Sequence, residues 1–169
     1  MTTLLTRITA VSGLCLAGMA AIPATAYAAP AGSTVSAQFS TSSIADRALE
    51  KVGGYGGQCK QFVNDVVQEA TGGSVSLGGG YYSDYRREGG HRVSAANAVK
   101  GDVIQLNSAS DPDTFYSGMH TAIVVANLGH HNFKVVDSNW VGPTTVGTHT
   151  WNPYNRAADK GLKVNIWHF

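Results

Sequence analysis

Four side chains combine types and positions suited to nucleophilic chemistry. Cys59 follows the glycine-rich stretch "GGYGGQ" and opens a run with helical periodicity. His120 precedes an apolar strand pattern, and Asp137 and Asn139 close the next one. A thiol attacks a carbonyl as the thiolate, so it needs a base to form it, and the base needs a polar partner to fix its tautomer and orientation. A cysteine in the first turn of a helix is favoured as thiolate by unpaired backbone N–H groups and the helix dipole. The glycines before it let the backbone approach a substrate closely.

Other fates for Cys59 are a buried inert thiol, half of a disulfide, or a metal ligand. The N-terminus narrows them. Arg7, an apolar run from Ile8 to Ile22 too short to span a membrane, and the small residues Ala26 and Ala28 read as a secretory signal peptide over residues 1–28. Leu14 stands where a lipidated Cys15 would need a small residue, so a freely secreted protein is expected. Removing residues 1–28 takes Arg7 and Cys15, leaving 11 Lys+Arg against 11 Asp+Glu and one cysteine with no partner in its own chain. An odd cysteine in a secreted chain is a reactive thiol or an intermolecular link. Balanced charge gives no basic patch for nucleic acid. The six histidines show no His-x-His or HExxH spacing, so no metal site is expected.

The elements that must position these groups follow from the patterning. Residues 29–42, "APAGSTVSAQFSTS", are small and polar and read as a flexible leader. Ser43 with Asp46 three residues on resembles an N-cap, predicting a helix over 43–52 stopped by Gly53 and Gly54. Phe62, Val63, Val66, Val67 and Ala70 form one helical stripe ended by Gly72 and Gly73. Residues 74–100 read as mainly loop, with a helical hint at 81–88 and a place as one wall of a cleft. Strand patterns then occupy 103–106, 120–126, 132–139, 145–151 and 162–169. Helices first and an antiparallel sheet afterwards is an α+β fold in one domain, residues 43–169. Asp102, in the turn after Gly101, is expected to be structural.

The two central strands, joined by "NLGHH", bring the histidine to the acid. Pairing Ala126 with Phe133 leaves a four-residue loop and sets His120 opposite Asn139; a slide by two sets it opposite Asp137. Either register keeps Ala122, Val124, Phe133 and Val135 on one face of a half-buried sheet. Either leaves one of Asp137 and Asn139 across from His120 and the other diagonal to it. The choice between them stays open at this level.

Taken together, "YGGQCKQFV" at 55–63, "GDVIQL" at 101–106, "HTAIVV" at 120–125 and "VVDSNW" at 135–140 resemble the CHAP family of cysteine, histidine-dependent amidohydrolases and peptidases, related to the NlpC-type cell-wall peptidases. The resemblance implies a papain-like core, with N-terminal helices packed on an antiparallel sheet. It implies Cys59 as nucleophile, His120 as general base and then acid, and Asp137 and Asn139 as partners of the imidazole. The N–H of Cys59 with the Gln58 or Tyr55 region is the expected oxyanion hole, and Tyr55 and Trp140 the expected groove lining. It implies a peptidoglycan hydrolase, an amidase or endopeptidase acting on peptidoglycan or stem peptides; a monomer with no cofactor and no stable membrane association after signal cleavage is expected. Some members bind calcium through an acidic loop before the cysteine; "EKVGGYGG" offers only Glu50, so calcium is not expected. Two rival readings share these residues: a non-catalytic wall-associated protein, and a papain-like protease or acyltransferase on other amides.

Overall fold

A computed structural model describes residues 39–169. The expected signal peptide and the expected leader up to residue 38 lie outside the described residues. Helix α1 spans Thr41–Glu50 and α2 Cys59–Ala70; α3 is Ser83–Arg87. The strands are β1 (His91–Val93), β2 (Val103–Ser108), β3 (Thr121–Gly129), β4 (Asn132–Ser138), β5 (Val146–Trp151) and β6 (Leu162–His168), with α4 (Pro153–Lys160) between the last two. All six strands pair antiparallel in the order β1-β6-β2-β3-β4-β5. The fold class is α+β.

Both faces of the sheet are covered, which corrects the expectation of a half-buried one. Val103, Ile123, Val136, Val146 and Trp167 meet Ile44, Ala45 and Ala48 of α1 and Phe62, Val63, Val66 and Val67 of α2. Ile104, Leu106, Ala122, Val124, Phe133, Val135 and Ile166 pack on the opposite face with Trp151 and Ala157. Every residue of β2 is therefore buried. Alternating apolar side chains feed two cores rather than one core and solvent.

Helix α1 begins two residues before the expected start. Ser43 lies inside it, its hydroxyl donating to the Ser40 carbonyl at 2.6 Å, and Asp46 instead meets Lys100 at the surface. The covering helix α4 escaped the strand-based reading although its signals are present. Asn152 caps it by accepting from the N–H groups of Tyr154 and Asn155, Pro153 occupies its first turn, and Gly161 ends it with φ 65°. Strand β1, three residues at an edge, lies within the segment expected to be mainly loop. The β3–β4 connection is tighter than a four-residue loop: His130 and His131 form a two-residue turn with φ 49° and 63°, as a twisted hairpin favours. Two irregularities in β3, at Val124/Ala126 and Asn127/Gly129, absorb the difference.

Candidate active site

A glycine-rich strap holds Cys59 against the sheet. Gly53 donates to the Val146 carbonyl at 2.9 Å, Val146 to that of Gly54 at 3.0 Å, and Gly56 to that of Thr144 at 2.8 Å, while Tyr55 bridges Thr145. Residues 53–56 thus add a short edge beside β5. A Cβ on Gly56 would lie 2.6 Å from a Val146 methyl and 2.7 Å from the Ser138 hydroxyl oxygen, so only glycine fits. Ser138 donates to the Gly57 carbonyl at 2.8 Å, tying the residue next to Asp137 to the approach to Cys59. Helix α2 then starts at Cys59, which leaves its first N–H groups without helical partners.

The backbone carbonyl of His120, just ahead of β3, accepts from the Leu106 N–H at 2.9 Å, so the sheet fixes its position. Its ring Nε2 lies 2.7 Å from Asp137 Oδ2; His120 is 5% exposed and Asp137 fully buried. The pairing Ile123–Val136, carried outward, sets His120 opposite Asn139, and the diagonal Asp137 makes the bond. Asn139 does not contact His120 through a hydrogen bond. Its φ of 68° turns it outward, where Nδ2 donates to Gln58 Oε1 at 3.0 Å and Oδ1 accepts from the Thr144 N–H at 3.1 Å. It therefore positions the residue preceding Cys59 rather than the imidazole, a correction to the expected pairing.

The electrostatics favour a charged pair. Burial opposes ionisation of Cys59, but the hydrogen bond and charge of His120, with the N–H groups of Thr121 and Lys60, outweigh it and hold the thiol below its ordinary pKa. Burial also pulls the His120 imidazole down, and the Asp137 and Cys59 interactions push it above its ordinary value. Both shifts act in the direction of thiolate and imidazolium.

A cavity of about 130 Å³ opens on this pair, lined by Gln58, Cys59, Lys60, Tyr81, Gln105, Phe115, Met119, His120 and Thr121. A larger, shallow hollow of about 580 Å³ beside the His130–His131 turn contains no nucleophile. Gln58 lines the cavity, whereas Tyr55 is 79% exposed and does not. Trp140 also lies outside its lining, 4.9 Å from the His120 ring and stacked on His149 at 5.0 Å. Sequence reasoning missed Lys60, Gln105 and Met119, and it missed His149, whose Nε2 lies 3.6 Å from Asp137 Oδ2. Burial, with the nearby His120 charge, holds His149 below its ordinary pKa. Tyr81 enters from the segment read as a cleft wall. Buried Asp102 accepts from the Val99 N–H at 2.8 Å and meets His168 Nδ1 at 2.7 Å, joining a turn to the end of β6. Among the described residues, no group of three or more His, Cys, Asp or Glu side chains is arranged to hold a metal ion. No described helix is long and apolar enough to cross a membrane.

No family model matches the chain, and no curated protein matches it. Among solved structures it is similar to "The crystal structure of Ly7917 with the hydrolyzing product of MDP", with a TM-score of 0.50 and 14% identity over 76% of this chain and 61% of that one. It also matches "The crystal structure of Ly7917", with a TM-score of 0.45 and 15% identity over 75% of this chain and 61% of that one. The chain thus spans about three-fifths of the length of these proteins. At this identity the first likeness is one of fold.

Proposed function

We propose that this chain is a secreted cysteine hydrolase that cleaves an amide bond of bacterial peptidoglycan, as an amidase or endopeptidase. The observation that carries the chemistry is the buried His120–Asp137 pair at 2.7 Å, set beside a cysteine at a helix start and facing one cavity. The substrate class rests on the CHAP-like motifs, and on a fold shared with a protein described with the hydrolysing product of MDP.

The reaction follows from the geometry. The Cys59 thiolate attacks the amide carbonyl, and the unpaired N–H of Cys59 stabilises the oxyanion. Gln58, held by Asn139, lines the cavity next to that N–H and supports this part of the site. The His120 imidazolium gives its proton to the departing amine, leaving a thioester on Cys59. Neutral His120 then takes a proton from water, which hydrolyses the thioester and regenerates the thiolate. Asp137 keeps the ring oriented through both steps and stabilises its charged form. A non-catalytic wall-associated role and a protease or acyltransferase role are outcomes of one test. The secreted chain is incubated with peptidoglycans of different cross-link chemistry and with casein, and new amino groups are counted. Release from peptidoglycan alone is expected; release from casein alone points to a protease, and release from neither removes the hydrolase reading.

A further inference from the structure

Lys60 is a cation to which the described residues offer no hydrogen-bond acceptor. It occupies the first turn of α2, where the positive end of the helix dipole disfavours a positive charge. Its Nζ is buried and has no hydrogen-bond partner, although an ammonium carries three donors. It sits over the Tyr85 ring at 4.2 Å and lies 5.8 Å from the Tyr81 ring. Those rings offer attraction without replacing hydrogen bonds. The nearest acids are engaged elsewhere: Asp84 with Arg87 and the Gly80 N–H, Asp113 with the N–H groups of Tyr82 and Ser83. Burial pulls the ammonium down to about 8, which leaves it mostly charged at neutral pH. Yet Lys60 lines the same small cavity as Cys59 and His120. An unpartnered buried charge is tolerated where a ligand completes it.

We infer that Lys60 is a specificity residue that binds a free carboxylate on the substrate residue flanking the scissile amide, so that the enzyme prefers carboxylate-bearing over amidated peptides. This rests on the hydrolase reading for the word substrate, while the anion site itself does not. His120 already has Asp137 at 2.7 Å, whereas the Lys60 ammonium finds no hydrogen-bond acceptor among the described residues. A carboxylate beside the scissile bond supplies that acceptor and places the carbonyl over Cys59. Replacing it by a carboxamide keeps the shape and removes the charge.

The test uses two alkylating agents of nearly equal size, iodoacetate and iodoacetamide, at pH 7, on the wild-type chain and on Lys60→Met, Lys60→Gln and Lys60→Arg. The rate ratio of anionic to neutral reagent at Cys59 is expected to be about tenfold or more higher in the wild type than in Lys60→Met. Lys60→Arg retains the preference and Lys60→Gln loses it, with circular dichroism reporting that each variant is folded. Equal ratios in wild type, Lys60→Met and Lys60→Gln overturn the inference, whether or not the protein hydrolyses peptidoglycan. A preserved ratio difference in a protein that releases nothing from peptidoglycan supports the anion site and sinks the hydrolase reading instead. With hydrolysis in hand, Lys60→Met is expected to raise KM about tenfold for a free-acid peptide and little for its amide. Equal changes for both substrates assign Lys60 a packing role and overturn the specificity claim.

Discussion

Gly56→Ala tests whether the glycine strap sets the position of Cys59, the proposed nucleophile. The added methyl would meet the Val146 Cγ2 at 2.6 Å and the Ser138 Oγ and Cβ at 2.7 and 2.8 Å, on side chains held by β5 and β4. Real Cβ contacts do not come that close, so the strap must move outward by the better part of an ångström. Overpacking of this kind costs about 1–3 kcal/mol. For a domain of this size that lowers Tm by roughly 3–10 °C. The larger effect is expected on rate, since Cys59 lies three residues beyond Gly56 while His120 and Asp137 stay with the sheet. A displacement of about 1 Å between reacting groups costs on the order of 10²-fold. Peptide release measured as kcat/KM, with thermal melting on the same sample, separates the two effects. Gly79→Ala is the control, because no atom lies within 4 Å of its added Cβ and its φ is not positive. Wild-type kcat/KM in Gly56→Ala, at a Tm equal to that of the control, would refute the reasoning.

Further outcomes follow from the same geometry. Asp137→Ala is expected to lower kcat by about 10²–10⁴-fold, and Asn139→Ala by about tenfold or less, because only the first removes the His120 partner. Steady-state kinetics showing the reverse order would return the orienting role to Asn139. His149→Phe keeps a ring stacked on Trp140 and removes the second histidine near Asp137. Activity within about threefold of wild type is expected if His120 alone is the base, and a loss of the size of His120→Ala would reassign it. Because Cys59 is held below its ordinary pKa, its alkylation by iodoacetamide should stay fast at pH values where a free thiol, near pKa 8.5, is protonated. His120→Ala removes the cause named for that shift, so the rate profile should move to higher pH; a profile that does not move would show that His120 does not set the thiolate.

Periodicity carried the elements that face a core. The stripe from Phe62 to Val67 is buried as its spacing requires, and Ala122, Val124, Phe133 and Val135 share one face. Five of the six strands showed through the same alternation, whereas the exposed three-residue β1 buries too little to leave a pattern. Helix α4 was legible only through its ends, since Asn152, Pro153 and Gly161 mark a helix whose body is mostly polar. The choice between Asp137 and Asn139 lay beyond periodicity. It depends on the left-handed backbone of Asn139 and on irregularities in β3, so one register count cannot serve both ends of the hairpin. Lys60 stands off the apolar stripe and reads as a surface residue until Tyr81 and Tyr85, more than twenty positions away, close over it.

Digestion of a defined peptidoglycan in ¹⁸O-labelled water, with mass spectrometry of the released fragments, tests the central claim most directly. Wild-type protein is expected to release fragment pairs that carry a new amine on one side and one ¹⁸O in a new carboxylate on the other. Cys59→Ala, folded by circular dichroism, is expected to release none. Release of the same labelled pairs by Cys59→Ala at the wild-type rate, or no release by the wild type from any peptidoglycan, would contradict it.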